Sequence, residues 1–186
     1  MHLLKELNIS MAKIIAFNKP FGVICQFSGE GDTLANYINI PNIYPVGRLD
    51  KDSEGLVILT DDGKLQHKIS NPKNNKTKTY IVQTEGEITE EAIIELQSGV
   101  SLKDGLTKPA FSEKIQKPDW LWDRTPPIRK RKLIPTSWIK ISITEGRNRQ
   151  IRRMTANVGF PTLRLIRIQI DQWKLANIKV GSYVSL

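Results

Sequence analysis

Residues 47–60 read Gly-Arg-Leu-Asp-Lys-Asp-Ser-Glu-Gly-Leu-Val-Ile-Leu-Thr, a charged loop between two glycines that runs straight into an apolar, β-branched stretch. Arg48, Asp50, Lys51, Asp52 and Glu54 thus stand beside residues that must be buried. Charge pressed against a core has to be paired or solvated, so a carboxylate here is a ligand, a catalyst or half of an ion pair. We read residues 56–60 as a strand, the loop before it as a mount for chemistry, and Asp50 as the catalyst.

Working outward, residues 13–17 form a short strand closed by Asn18-Lys19-Pro20, and residues 22–26 its neighbour after a turn. Asp32 or Thr33 caps a brief helix to Tyr37, while Pro41 and Pro45 keep the approach to the loop extended. Downstream, Asp61-Asp62-Gly63 opens a helix over 64–69 that Asn71-Pro72 stops. Residues 78–84 alternate as a strand with Tyr80, Val82 and Thr84 on one face. Thr89 caps a helix over 90–97 that buries Ile93, Ile94 and Leu96 and ends at Gly99. A strand over 137–144 leads into a helix with Asn148 as N-cap, an apolar stripe of Ile151, Met154, Thr155 and Val158, and Gly159 just past its end. In residues 162–170 the apolar parity changes at Leu165-Ile166, which reads as a bulge placing Arg164 and Arg167 on one face. A last strand covers 183–186. Periodicity alone gives an α+β protein. Residues 117–136 interrupt it with Trp120, Trp122, Pro126, Pro127 and four consecutive bases. A segment so long and irregular is functional or disordered, and its tryptophans, set either to pin it to the core or to stack on bases, argue for order.

The net charge of +9 is concentrated rather than spread. Residues 124–167 hold 12 Lys or Arg and one acid, which leaves the other 142 residues with 16 bases and 18 acids. A solvated face mixes its signs, whereas a single basic stretch beside aromatic residues suits a polyanion. With Cys25 alone there is no internal disulfide, which fits a reducing, cytoplasmic compartment, and two histidines make no transition-metal cluster. No apolar run has the length of a signal peptide or a membrane span. The spacing Asp50-x-Asp52-x-Glu54-Gly55 with Asp61 approaches a calcium-binding EF-hand loop. Glu at the fifth position, the short Asp61 at the twelfth, the basic neighbours and the extended flanks all oppose that reading.

Three segments in order carry a family resemblance: GRLDKDSEGLVILTDDG from Gly47, the tripeptide KTY from Lys78, and EGRNRQIRRM from Glu145. With NKPFGV at Asn18, PTSW at Pro135 and GFPTLRLIR at Gly159, the sequence resembles the RNA pseudouridine synthases of the RsuA branch from Lys13 almost to its end. The resemblance implies the pseudouridine synthase fold, a mixed, mainly antiparallel sheet with helices around a central catalytic cleft. It also implies residues 1–12 as a tail and 13–186 as the catalytic domain, without the preceding S4-type RNA-binding module that most of the branch carries. The implied activity isomerises a uridine of ribosomal RNA, the 23S RNA of the large subunit, with no cofactor or metal, by a monomer with ribosomal RNA as its partner and no membrane.

Carried over residue by residue, Asp50 matches the catalytic aspartate acting at the ribose, Tyr80 the tyrosine that stacks on the base, and Arg152 the arginine that pairs with the aspartate. Arg48, on the same side of an extended segment as Asp50, is placed to hold phosphate or the flipped nucleotide. Independently, a uridine in folded RNA must be splayed out to be reached, which calls for a stacking aromatic, a backbone clamp and one protected carboxylate. Arg147, Arg149, Arg153, Arg164 and Arg167 are candidate phosphate contacts, with Arg129, Lys130, Arg131 and Lys132 as a basic flank. Asp52 and Glu54 find no distant partner in the sequence and are assigned to the turn itself. The competing reading is a non-catalytic RNA-binding or ribosome-assembly protein on the same fold, which would need the bases but not Asp50, Tyr80 and Arg152 together.

Overall fold

The computed structural model of the chain describes residues 12–129, 131 and 133–186. Among these, in chain order, come β1 (Ile14–Lys19), β2 (Tyr44–Pro45), β3 (Glu54–Thr60), α1 (Gly63–Ser70), β4 (Lys78–Glu85), α2 (Glu90–Ser98), β5 (Ser101–Leu102) and β6 (Gly105–Leu106). They are followed by β7 (Phe111–Ile115), β8 (Thr136–Ile143), α3 (Gln150–Asn157), β9 (Thr162–Ile170), β10 (Trp173–Lys174) and β11 (Tyr183–Ser185). The tail expected over 1–12 lies, but for Ala12, outside the described residues.

One sheet runs in the order β11-β1-β3-β9-β4-β8-β7, with β2 added to β3 and β10 to β9, while β5 and β6 make a separate hairpin. Its pairs are antiparallel except β3 with β9, which run parallel where Glu54 meets Ile166 and Gly55 meets Arg167. That short joint unites two antiparallel halves. It requires Gly55: with φ at 100°, a Cβ there would stand 2.3 Å from the carbonyl oxygen of Arg167. The sheet is therefore mixed and mainly antiparallel, as expected.

Both faces of the sheet are covered. On one, Phe17, Val57, Leu59, Tyr80, Val82, Ile139 and Ile141 pack with Leu96 of α2 and Met154 of α3. On the other, Leu56, Ile58, Ile81, Trp138 and Ile166 pack with Leu121 and Trp122 from the irregular segment. β3 is consequently buried at every position, the pattern of a strand with no solvent side.

Local chemistry accounts for the helices. Asp62 accepts the backbone N–H groups of Lys64 and Leu65 to start α1, and Thr89 accepts that of Ala92 to start α2, with Glu90 and Glu91 in its positive first turn. Three local expectations are corrected. Residues 22–26 form no strand beside β1; Ile24 makes a single bridge to Thr33 instead. Ile94 is 58% exposed and Ala92 takes its place on the buried side of α2. The N-cap of α3 is Arg149 rather than Asn148, because the Gln150 side chain closes the turn by accepting the Arg147 N–H at 3.0 Å and donating to Glu145 at 2.6 Å.

The predicted bulge is also displaced. β9 carries its extra residues at Leu163 and Ile168, and its register against β4 is unbroken from Arg164 to Arg167. Those two arginines therefore lie on opposite faces. The parity change at Leu165-Ile166 records burial on both sides of the strand, not a change of phase.

Candidate active site

The loop that carries Asp50 is held by its own carbonyl groups. Lys19 is completely buried, and its Nζ donates to the carbonyls of Pro20 at 2.9 Å and Val23 at 2.8 Å and reaches that of Lys51 at 3.5 Å. The Gly22 N–H donates to Lys51 as well, at 2.8 Å. Arg167 donates from Nε to the Leu56 carbonyl at 2.8 Å and from Nη1 to that of Arg48 at 3.3 Å. Arg152 donates from Nη2 to the Asp52 carbonyl at 2.7 Å. Cations on carbonyl dipoles fix a backbone without consuming the carboxylates beside it. Burial pushes the Lys19 ammonium down to about 8.

The loop forms one wall of a cleft of about 410 Å³. Asp50 and Arg48 line it from the loop, Lys78 and Tyr80 from β4, Leu165 and Arg167 from β9, and Arg147 and Arg149 from the turn before α3. Tyr80 is 7% exposed and sits between Ile141 and Arg167 on the neighbouring strands. Asp50, Tyr80 and Arg48, named from sequence, thus meet around one space. Burial, reinforced by the charge of Arg167, holds the Lys78 ammonium below its ordinary range.

The arginine assignment changes. Arg152 does not pair with Asp50; its Nε stands 3.4 Å from Oδ2 of Asp52, without hydrogen-bond geometry. Arg149 is the residue that reaches Asp50, at 3.4 Å from Oδ2, while forking onto both oxygens of Asp52 at 3.0 and 2.7 Å. Arg149 has left-handed backbone, φ 48°, uncommon for a side chain of its size, and that conformation sits where the chain turns into α3. The hydrogen bond from Arg149, joined by the charge of Arg152, holds the Asp52 carboxyl below its usual range against the opposing effect of burial.

The neighbouring acids are corrected with it. Asp52 is bound by two arginines. Glu54 is 1% exposed and accepts from Arg164 Nε at 2.7 Å and Nη2 at 2.8 Å, and from the indole N–H of Trp122 at 2.9 Å. Neither is a mere turn residue. The three carboxylates also diverge, Asp50 into the cleft, Asp52 onto Arg149 and Glu54 into the core, which is incompatible with a shared calcium ion.

Of the remaining bases, Arg164 and Arg167 are buried at 5% and 3% exposure, Arg164 held by Glu54 and Arg167, in the lining of the cleft, by carbonyls, so neither is a surface arginine. Arg147 donates to the carbonyls of Gly105 at 2.9 Å and Leu106 at 2.6 Å, and Arg153 forks onto Asp104, so both brace the β5–β6 hairpin. Arg129 is exposed, Arg131 pairs with Glu85 at 3.1 Å, and Lys130 and Lys132 lie outside the described residues. Sequence reading missed Lys19 and Lys78. Lys19 was detectable, because it continues the apolar parity of β1 into a proline-bounded turn. Trp122 was considered for pinning and does pin, whereas Trp120 is exposed.

The family model described as RNA pseudouridylate synthase matches residues 13–157. Ribosomal large subunit pseudouridine synthase E of Vibrio vulnificus is 52% identical over 181 residues, 96% of this chain and 77% of the relative. The protein of the same name from Xanthomonas campestris is 47% identical over 174 residues, 91% of this chain and 93% of the relative. A crystal structure of a pseudouridylate synthase, 29% identical, superposes with a TM-score of 0.78 over 94% of this chain and 70% of that one.

Proposed function

The chain belongs to the RNA pseudouridylate synthase family, and on that footing we propose that it isomerises a uridine of large-subunit ribosomal RNA to pseudouridine, acting as a monomer in the cytoplasm. The observation that carries this reading is the meeting of Asp50, Tyr80 and Arg149 in one cleft from three distant parts of the chain. In the reaction the N1–C1′ bond breaks, the base turns, and C5 joins C1′. The C5 proton is lost and N1 gains one, so atoms balance without a co-reactant.

Asp50 supplies the carboxylate at the ribose. Arg149 fixes its orientation and balances its charge, Asp52 braces Arg149 in turn, and Arg152 holds the Asp52 carbonyl. Tyr80 offers a π face for the splayed uracil and a phenol near its C5. Arg48, exposed on the rim, takes a phosphate of the flipped nucleotide, and Arg129 with its basic neighbours binds flanking RNA. Among the described residues no helix is long and apolar enough to cross a membrane.

The test incubates purified protein with unmodified ribosomal RNA and maps pseudouridine by carbodiimide treatment and primer extension. Asp50→Asn is expected to lower the rate by more than about a thousandfold while RNA binding persists. Full modification by that variant would sink the assignment. RNA bound by the unaltered protein but never modified would leave a binding protein instead.

A further inference from the structure

A larger cavity, of about 830 Å³, lies on the face of the sheet opposite Tyr80. Lys117, Arg124, Pro127, Ile128 and Ile134 of the irregular segment form its outer wall, and the ends of β4, β8 and β9 its inner one. The lining is apolar at Trp138 and Leu163 on the inner wall and at Ile128 on the outer. Gln83 and Thr136, bonded to each other at 3.1 Å, add a carboxamide and a hydroxyl to one side. The rim is cationic: Lys117, Arg124 and Arg129 line it, against the acids Asp123 and Glu85, the latter already bound by Arg131.

Two anchors hold this wall in place. Arg124 donates to the Pro126 carbonyl at 2.7 Å and lies 4.2 Å over the ring of Phe21. Trp122 donates to Glu54, whose partner Arg164 lines the cavity from within. An apolar slot with amide and hydroxyl groups on one side and guanidinium groups at its mouth matches a nucleobase with its phosphate. It is wide enough for one nucleotide, and its bases outnumber its acids, Asp123 and the Arg131-bound Glu85.

We propose that this cavity is a second RNA subsite, which takes an unpaired nucleotide remote from the target uridine, its base against Trp138 and Leu163 and its phosphate on Arg124 and Arg129. The proposal rests on RNA being the substrate. The two faces then hold one RNA at two points, and the site to be modified is selected by the spacing between an unpaired nucleotide and the target.

The test is photocrosslinking of the full chain to large-subunit ribosomal RNA transcribed with 4-thiouridine, with peptide and nucleotide mapping, beside pseudouridine formation on an unsubstituted transcript. Adducts on peptides within 117–138 at a nucleotide other than the modified one are expected. If pseudouridine forms while every adduct falls on the cleft segments 44–54, 78–80 and 143–152, the second subsite is refuted and the isomerase reading stands. Adducts within 117–138 without pseudouridine would do the reverse, and neither signal would overturn both. Leu163→Trp, which fills the cavity, is expected to raise KM for this RNA about tenfold, more than it lowers kcat. An unchanged KM in a folded variant would also refute the subsite.

Discussion

Asp50 in the loop and Glu54 at the start of β3 stand four residues apart and meet opposite fates. Asp50 faces a half-open cleft with a single arginine at 3.4 Å, whereas Glu54 is sealed on the other face beneath Arg164 and Trp122. A carboxylate kept accessible remains available to a substrate, and one fully satisfied is structural. The difference shows how a strand with both faces buried can carry chemistry at one end: the reactive charge projects from the loop, and the structural charge locks the strand behind it.

The comparison breaks first at Glu54. Removing one partner of a buried pair strands the other, so Arg164→Met is expected to cost about 3–5 kcal/mol, read as a lowered urea midpoint. Adding Glu54→Leu to it should recover most of that loss. A stable single variant would mean that Glu54 does not depend on its partner. On the cleft side, Tyr80→Leu keeps an apolar side chain but no ring, and is expected to raise KM by about 10–100-fold, as the loss of one stacked base would. A change in kcat alone would move Tyr80 from binding to proton transfer.

The smallest effect concerns Asp52. Its hydrogen bond from Arg149 and the charge of Arg152 hold the carboxyl below the ordinary aspartate range, so its contribution to stability is present above the ordinary value and lost as pH falls through the folded one. Thermal unfolding of Asp52→Asn and the unaltered protein should therefore differ at pH 6 and converge as pH falls through the depressed folded-state value of the carboxyl. A constant gap would remove Asp52 from the ion-pair network.

Much of this was legible in the sequence where local chemistry decides. Asp62, Thr89 and Gly99 marked helix ends because caps act within one turn, and the alternation of Ile139, Ile141 and Ile143 marked β8 because that strand keeps a phase. Legibility failed where long-range packing overrides local pattern. The tract from Leu165 to Ile166 is apolar on both sides because two layers cover it, which a periodicity cannot distinguish from a bulge. At the site, the motif around Arg152 located the right helix but not which arginine reaches Asp50, since the left-handed turn at Arg149 leaves no sequence signal. The partners of Glu54 were invisible for a related reason, lying 68 and 110 residues away.

That separation governs when the site can exist. The joint between β3 and β9 closes only once residues 164–167 are available, and during synthesis, at about 5–20 residues per second, the loop with Asp50 emerges many seconds earlier. Until then Glu54 has no guanidinium to neutralise it, and the carbonyls of Arg48 and Leu56 lack the donor that fixes them. The nascent chain therefore carries its reactive carboxylate in an unassembled loop. Competence arrives in one late step, as the two antiparallel halves meet at Gly55.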